Sequence, residues 1–594
     1  MKPVESKKIV TKILFSLGTA ALLATNLLHA APVVDLVEQG RRIYQEGVLI
    51  SGAPLSGERA ERGAVTGSAA ACVQCHRRSG MGSVEGDIQV SPITGRFLFS
   101  DSNNDKTLAT MDLRRGKRFN QRHDPYTDEA LALALREGVN NSGKDMNITM
   151  PHFALGEADL KALTAYLKQL SAEPSPGVTE ERIQFATVIT PDVEPERKKA
   201  MLDMMRVAFA QKNGSTAPGR RHMVTAAEMV LRTEHKWDLA VWELQGAPDT
   251  WPAQLEEFYK RQPVFALVSG LSNGTWQPVH DFCQKQSVPC WFPSVSLPVL
   301  SEAQYPLYFS RGVALEAEVL ANYLRNAKAE QRPQRVVQIY RNNHAGQGAA
   351  QALKRSLSAA NITVEDRVLS DESDSLQKAL SDLKDKDQLM LWLRPADIAS
   401  LEKIKPTEKI ITYFSAELSG GERTAFPPAW KSIARLVYPY EMPEARLSNL
   451  TYFNTWMKSR KLAIVDEPMQ SEVYFALNFL SDTMAEMLDN LYRDYLIERA
   501  ESMLSRRESG KAEQEARDRA FVGRTEDLLR KHGTRTAAPG VRPGAISREA
   551  GNREGTTIYP RLSLAPGQRF ASKGAYIVRF DSDKLVAESD WIVP

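Results

Sequence analysis

Cysteine is scarce in this sequence, with four in 594 residues. That excludes a disulfide-stapled scaffold. It also excludes an Fe–S cluster, which needs four neighbouring thiolates, because Cys72 and Cys75 stand about 200 residues before Cys283 and Cys290. Long apolar runs are missing beyond the N-terminus, so no later stretch reads as a membrane span. An excess of one charge is missing too. There are 76 Lys and Arg against 73 Asp and Glu, and nothing in that balance argues for nucleic acid. No phosphate-cradling loop, nucleophile–base pattern or catalytic metal motif occurs. What remains is an ordinary globular composition, 42% hydrophobic and 25% charged, long enough for two to four domains.

The first residues have the pattern of an export signal. Lys2, Lys7, Lys8 and Lys12 form a basic start, Ile13 to Leu28 an apolar segment, and His29-Ala30-Ala31-Pro32 a cleavage zone. Residues 1–31 are therefore expected to be a signal peptide. Leu28 or His29 stands where a small residue is usual, which leaves an uncleaved anchor as the alternative. Thr25 and Asn26 interrupt the apolar run, and no cysteine near the cut offers a lipid anchor. Without this segment the chain is close to neutral.

The most informative stretch is Cys72-Val73-Gln74-Cys75-His76. Two thiols three positions apart, followed at once by an imidazole, form the attachment site of a c-type haem. Each thiol adds to one vinyl group, and the histidine ligates the iron. A zinc site would need further Cys or His at fixed spacing, and His123 and His152 are distant and isolated. A thioredoxin-type pair would follow a strand in a βαβ pattern, whereas the flanks here are rich in Gly, Ala and Ser. The motif occurs once, so one haem c is expected. Export and covalent haem together point to the periplasm.

Asp35 to Tyr44 reads as an amphipathic helix with Gly40 and Tyr44 on one face. Ser51 to Ala71 reads as a flexible lead into the haem motif. Gly156 to Leu167 is a second helix, with acids in its first turn and an apolar stripe at Leu160, Leu163 and Leu167. Between them lies Asn147-Ile148-Thr149-Met150-Pro151-His152-Phe153. A helix with Gly and an aromatic, then CxxCH, then Met-Pro, then a last helix resembles a class I cytochrome c. The resemblance implies an all-α cytochrome domain over residues 35–171. It implies His76 as proximal ligand and Met150 as the other axial ligand, with Met146, Met81 and His152 as the other candidates. It also implies a hydrogen bond from the proximal imidazole to the carbonyl of Pro92. The basic run Arg114 to Arg122 is either a solvated face beside the haem propionates or a docking patch for an acidic redox partner.

Residues 172–181 have the composition of a linker. Beyond it, apolar strands alternate with helices: Ile183–Ile189, Leu239–Leu244, Val264–Val268, then Val336–Tyr340, Gln388–Leu393 and Ile410–Phe414. Strands spaced by helical stretches imply parallel sheets, and two such series imply two lobes. This texture resembles a type I periplasmic substrate-binding protein of the Leu/Ile/Val-binding class, over residues 182–594. The matching segments are the loops Ser269–Thr275 and Phe292–Pro298, the helix start at Gly346-Gln347-Gly348, and Phe414–Glu417. The resemblance implies a small-molecule ligand between the lobes, with Thr275 and Ser296 donating to a carboxylate and Glu417 accepting from an ammonium. Ala345 and the loop Thr190–Val193 depart from the family's amino-acid-binding pattern.

Cys283 and Cys290 close a short loop between a helix end and a strand start. In an oxidising compartment a disulfide is expected, and two buried thiols are the alternative. Tyr474 to Arg507 reads as one long helix, residues 508–557 as an insertion expected to be disordered, and Ala575 to Phe580 as a returning strand.

These readings describe a periplasmic electron carrier with one haem, not an enzyme, whose receptor-like domain binds a small ligand or a redox partner. That partner is expected to be a quinoprotein dehydrogenase or another cytochrome. The alternatives are a solute receptor or sensor with an accessory haem, and a haem peroxidase, which would need an open iron position.

Overall fold

The structure is a computed structural model that describes residues 32–59, 63–85, 88–100, 123–225, 230–328, 332–358, 360–370, 375–407, 409–510, 513 and 557–594. The expected signal peptide, the basic run at 114–122 and nearly all of the expected insertion at 508–557 lie outside the described residues. The chain divides into two compact units, residues 1–175 with 221–232, and residues 176–220 with 233–594.

In the first unit, α1 (Pro32–Glu46) crosses the last helix, α4 (Glu157–Gln169), at close range. The crossing depends on Gly40. A Cβ there would lie 2.1 Å from the Ala162 carbonyl oxygen and 2.7 Å from the Tyr166 Cβ. One turn on, the Tyr44 and Tyr166 rings meet with centroids 5.3 Å apart. Ile43, Tyr44, Leu131, Leu135, Phe153, Leu160, Leu163 and Leu167 form the core of this unit. Leu131 and Leu135 come from α3 (Asp128–Glu137), which Thr127 caps by accepting from the Ala130 amide and Gly138 ends at φ +71°.

The stretch read as flexible is instead structured. β1 (Ser56–Arg59) and β2 (Gly63–Thr66) pair antiparallel, a 3₁₀ turn follows at Gly67–Ala70, and β1 also pairs with β3 (His152–Phe153). The expected helical domain thus carries a small sheet as well. Gly57 makes this fit, since a Cβ there would lie 2.8 Å from the Pro151 Cβ. The small-residue composition reflects close packing here rather than freedom.

The second unit contains two seven-stranded sheets. The first is wholly parallel. Its strands are β4 (Arg182–Ile189), β5 (Lys236–Glu243), β6 (Ala266–Val268), β7 (Leu271–Ser272), β8 (Cys290–Trp291), β9 (Ser294–Val295) and β10 (Pro306–Leu307). The order is β9–β7–β4–β6–β8–β10, with β5 also on β4. The second sheet runs β12 (Thr363–Leu369), β11 (Arg335–Arg341), β13 (Asp387–Trp392), β14 (Ile411–Ser415), β15 (Ala434–Tyr438), β16 (Tyr576–Asp581) and β17 (Lys584–Ala587). Its first five strands are parallel and its last two antiparallel. Buried runs such as Leu389 to Leu393 are apolar throughout, as a strand covered on both faces requires.

Helices cover both sheets. α5 (Pro195–Gly214), α6 (Trp251–Arg261) and α7 (Gln277–Lys285) belong with the first sheet, and α8 (Val313–Asn326) and α9 (His344–Leu357) with the second. The chain passes from the first lobe to the second after β10. It returns after β15 to place α11 (Glu467–Met487) against α5, and goes back to supply β16. Cys283 and Cys290 are joined in a disulfide between α7 and β8.

The single long helix expected over Tyr474 to Arg507 is two. α11 ends at Met487, Leu488 takes φ +57°, and a second helix covers 493–510. The break is held by side chains. Asp489 accepts from the Thr233 amide at 2.9 Å and its hydroxyl at 3.0 Å. Arg493, 7% exposed, donates to the carbonyls of Phe265, Gln286, Ser287, Pro176 and Val264 and to the Tyr259 hydroxyl. Helical periodicity continues through the break, which is why the pattern conceals it.

Candidate functional sites

The CxxCH motif folds as a single helical turn. Cys72 caps α2 (Val73–His76), and the amides of Cys75 and His76 both donate to the Cys72 carbonyl, at 3.2 and 2.9 Å. One turn of helix brings residues three and four apart onto one face, so the turn gathers Cys72, Cys75 and His76 together. Neither thiol is in a disulfide. The turn stops at Arg77, whose φ is +65°. The Tyr44 hydroxyl donates to the Arg77 carbonyl at 2.7 Å, and the Ser171 hydroxyl to the Ser79 carbonyl at 2.7 Å. Both ends of the domain thus hold the segment that follows the motif.

His76 Nδ1 lies 2.9 Å from the Ser91 carbonyl oxygen. The expected partner was the Pro92 carbonyl, and the acceptor is one residue earlier. Proline restricts the residue before it to extended backbone, so Pro92 acts on the carbonyl of Ser91 rather than through its own. With Nδ1 donating, Nε2 is the nitrogen left for a metal. Desolvation pulls the imidazole down to about 4, partly offset by the Ser91 carbonyl, so the neutral, ligating form prevails at neutral pH.

Met150 is half-buried against the same core cluster that Cys72 and Val73 touch, and its amide donates to the Asn147 carbonyl at 2.9 Å. Met81 is fully buried and His152 exposed. Two unpaired thiols, an oriented imidazole and a thioether on one core suit a covalently bound haem.

The second unit has a cavity of about 300 Å³ between its two lobes. Its walls lie beyond the carboxyl ends of the strands, as parallel sheets favour. The first lobe contributes Ser272, Ser294 and Ser296, and the second Glu417 and Tyr440. Glu417 opens α10 (Ala416–Ser419) directly after β14. It accepts a hydrogen bond from the Tyr440 hydroxyl, and Ser296 beside it favours its charged form. Glu472 of α11 accepts from the Tyr559 hydroxyl at 2.7 Å, with Ser294 beside it favouring its charged form. Burial raises both carboxyls, Glu472 to about 8. Phe309 stacks on Tyr559, and the Tyr440 and Tyr559 rings lie 5.8 Å apart.

Glu316 supports this wall from behind. It is fully buried on α8, accepts from the Ser415 hydroxyl, and takes the Glu417 amide at 2.9 Å. Its carboxyl occupies the start of α10 and so sets where the Glu417 side chain begins. Burial holds its own pKa well above the usual carboxylate range.

Of the three ligand-binding residues expected, Ser296 and Glu417 line the cavity and Thr275 does not. The Thr275 hydroxyl accepts from the Gln277 amide at 3.2 Å, so it serves the start of α7. Gly346 and Gly348 also lie outside the cavity wall. Gly348 admits Leu297, which a Cβ would approach to 2.7 Å.

Glu472, Tyr440, Tyr559 and Arg197 were not anticipated. The signal for Glu472 and Glu316 was an acid inside an otherwise buried helical stretch, Met469-Gln470-Ser471-Glu472-Val473 and Val313-Ala314-Leu315-Glu316-Ala317. Among the described residues, no group of three or more His, Cys, Asp and Glu is arranged to hold a metal ion, and no helix is long and apolar enough to cross a membrane.

Comparison with known proteins agrees with this division. Residues 60–171 match the family described as Cytochrome c, and residues 208–401 match the family described as Periplasmic binding protein. No curated protein matches the chain. Among solved structures, it is similar to a fatty acid ABC transporter substrate-binding protein from Thermomonospora curvata, at 13% identity over 71% of this chain and 95% of that one, with a TM-score of 0.44. A branched-chain amino acid ABC transporter protein from Thermus thermophilus with bound valine is 9% identical over 70% and 97%, with a TM-score of 0.45. A leucine-binding protein from Thermotoga maritima is 10% identical over 69% and 99%, with a TM-score of 0.43. The chain joins a cytochrome c domain to an α/β domain of the type I periplasmic-binding-protein kind.

Proposed function

We propose that this protein is a periplasmic electron carrier with one haem c, whose second domain receives a small ligand. The residues that would hold the haem are Cys72 and Cys75 as thioether links and His76 and Met150 as iron ligands, with Ser91 orienting the imidazole. The bound haem supplies a one-electron couple. The chain's own part would be to fix the histidine tautomer, enclose the group in the core around Tyr44 and Leu163, and offer the iron both the His76 imidazole and the Met150 thioether. The observation that carries this reading is the Cys72–His76 turn, with His76 Nδ1 held 2.9 Å from the Ser91 carbonyl. A periplasmic oxidoreductase, such as a quinoprotein dehydrogenase, or another cytochrome is the proposed exchange partner, and residues 1–31 the proposed export signal.

The test is the optical spectrum of the purified protein beside Met150→Ala. The wild type is expected to show the weak far-red charge-transfer band of a thioether-ligated ferric haem, and the variant to lose it and bind carbon monoxide when reduced. A wild-type protein that is high-spin and binds carbon monoxide or peroxide unaided would overturn the carrier reading in favour of a sensor or peroxidase.

A further inference from the structure

We propose that the interlobe cavity selects a small organic ammonium ion that lacks a carboxylate, bound against the paired carboxyls of Glu417 and Glu472. This rests on the reading of the second domain as a small-molecule receptor.

Glu417 and Glu472 come from different elements, yet each meets the cavity with a tyrosine hydroxyl already donating to it, Tyr440 on one and Tyr559 on the other, and with a serine beside it that favours its charged form, Ser296 and Ser294. Two acids facing one small space cannot both ionise there unaided, so each is held toward its neutral form until a cation between them favours the charge. Of the fixed cations in the wall, Arg197 lowers Glu417 only as the last of several effects. Arg197 is engaged by Asp466 at 2.8 Å, Asn273 at 2.7 Å and Glu194 at 3.6 Å. Arg394 is half-buried and Arg423 exposed, and among the described residues neither hydrogen-bonds Glu417 or Glu472.

The hydroxyls that an α-amino acid's carboxylate would need are committed elsewhere. Ser294 and Ser296 lie beside the two acids and favour their charged forms, Ser310 accepts from the Gly312 amide at 3.0 Å, and Ser272 donates to the Thr275 carbonyl at 3.2 Å. Thr275 does not reach the cavity. The free hydrogen-bonding capacity of the acidic wall is therefore acceptor-rich, formed by carboxylate oxygens and phenol lone pairs. Phe309, Tyr440 and Tyr559 add aromatic surface beside it, which attracts an ammonium through its ring faces. The space of about 300 Å³ is at the small end of ligand cavities and suits a compact monoamine.

The experiment is titration calorimetry on the full haem-loaded protein with matched sets: phenethylamine, phenethyl alcohol and phenylalanine, then isoamylamine, isoamyl alcohol and leucine. The expected result is that an amine binds about tenfold or more tightly than its alcohol and its amino acid. Glu472→Gln is expected to remove that preference. Tyr559→Phe, which leaves both acids in place, is the second variant and is expected to weaken amine binding by a smaller factor. Binding of an amino acid or alcohol as tight as that of its amine would overturn the ammonium assignment and leave the receptor reading standing. So would amine binding that is unchanged in both variants. Failure of every compound to bind would overturn both.

Discussion

The two candidate sites are built in opposite ways. The haem turn is local, since Cys72, Cys75, His76 and Ser91 fall within twenty residues and one helical turn sets most of their geometry. The cavity draws on distant segments. Ser294 and Ser296 come from the first lobe, Glu417 and Tyr440 from the second, Glu472 from a helix that returns to the first, and Tyr559 from the last passage of the chain. A local site tolerates changes elsewhere and fails only when its own residues or its two clamping side chains, Tyr44 and Ser171, are changed. A dispersed site depends on the folding of the whole unit.

The largest expected effect falls on the local site. Cys72→Ala with Cys75→Ala removes both thioether bonds and should abolish covalent haem, read as loss of haem staining after denaturing electrophoresis. The second unit, with its Cys283–Cys290 disulfide, should retain its own unfolding transition. A covalent haem surviving in the double variant would break the comparison at its root.

Next is Arg493→Met. Five carbonyls and a phenol share this buried guanidinium, and it fixes the break between two helices, one of which carries Glu472. Removing a buried charge and leaving its acceptors without donors costs about 3–5 kcal/mol. A urea transition of the second unit displaced by that amount would show that a residue outside the cavity wall governs the dispersed site. A displacement near zero would mean that water replaces the guanidinium.

Gly40→Val is the matching change for the haem domain. Its Cβ would overlap the Ala162 carbonyl and the Tyr166 Cβ, and overpacking of this kind costs about 1–3 kcal/mol. Thermal unfolding followed at the haem absorbance should shift down, while the His76–Ser91 hydrogen bond, local to its own loop, keeps the ferric spectrum unchanged below the transition. A changed spectrum at low temperature would show the turn to be less independent than its geometry implies.

This contrast also governs what could be read before the fold was known. Cys72, Cys75 and His76 needed nothing beyond their spacing, and the alternation of strands and helices was enough for two parallel-sheet lobes. The proximal hydrogen bond was off by one residue because proline's influence is on its predecessor, which a motif does not display. Thr275 belonged to a loop with the right composition but the wrong direction. Glu472 and Tyr559 were out of reach because about ninety residues separate them, and only the folded chain brings them together. Glu316 was within reach: a carboxylate among Val, Ala and Leu on one helix must have a hydrogen-bonding reason to be buried. The break at Leu488 was hidden because what ends the helix is tertiary, a clamp formed by Asp489 and Arg493, with neither glycine nor proline at the stop.

The smallest effect per step is a titration. Burial first, then the nearby charges of Glu417 and Asp466, raise Glu472 to about 8, against the lowering hydrogen bonds from Ser294 and Tyr559. In the unfolded chain the same carboxyl has an ordinary value near 4.5. Between these values the folded state holds a proton that the unfolded state has released. The stability from burying a neutral carboxyl is therefore fully present below the lower value and is lost as pH rises toward the upper one. Glu472→Gln cannot release that proton. Its stability relative to wild type should rise by about 1 kcal/mol for each pH unit across roughly pH 5 to 8 and then level off. Glu417 is coupled to Glu472 and shifts with it, so the difference between the two melting curves reports the Glu472–Glu417 pair. A saturating amine should flatten the wild-type slope, because its charge favours the ionised carboxylate. A difference independent of pH would mean that Glu472 is ionised in the empty cavity. The acidic wall would then be a fixed negative site, ready for a cation without proton release, rather than one that discharges a proton as the ligand enters.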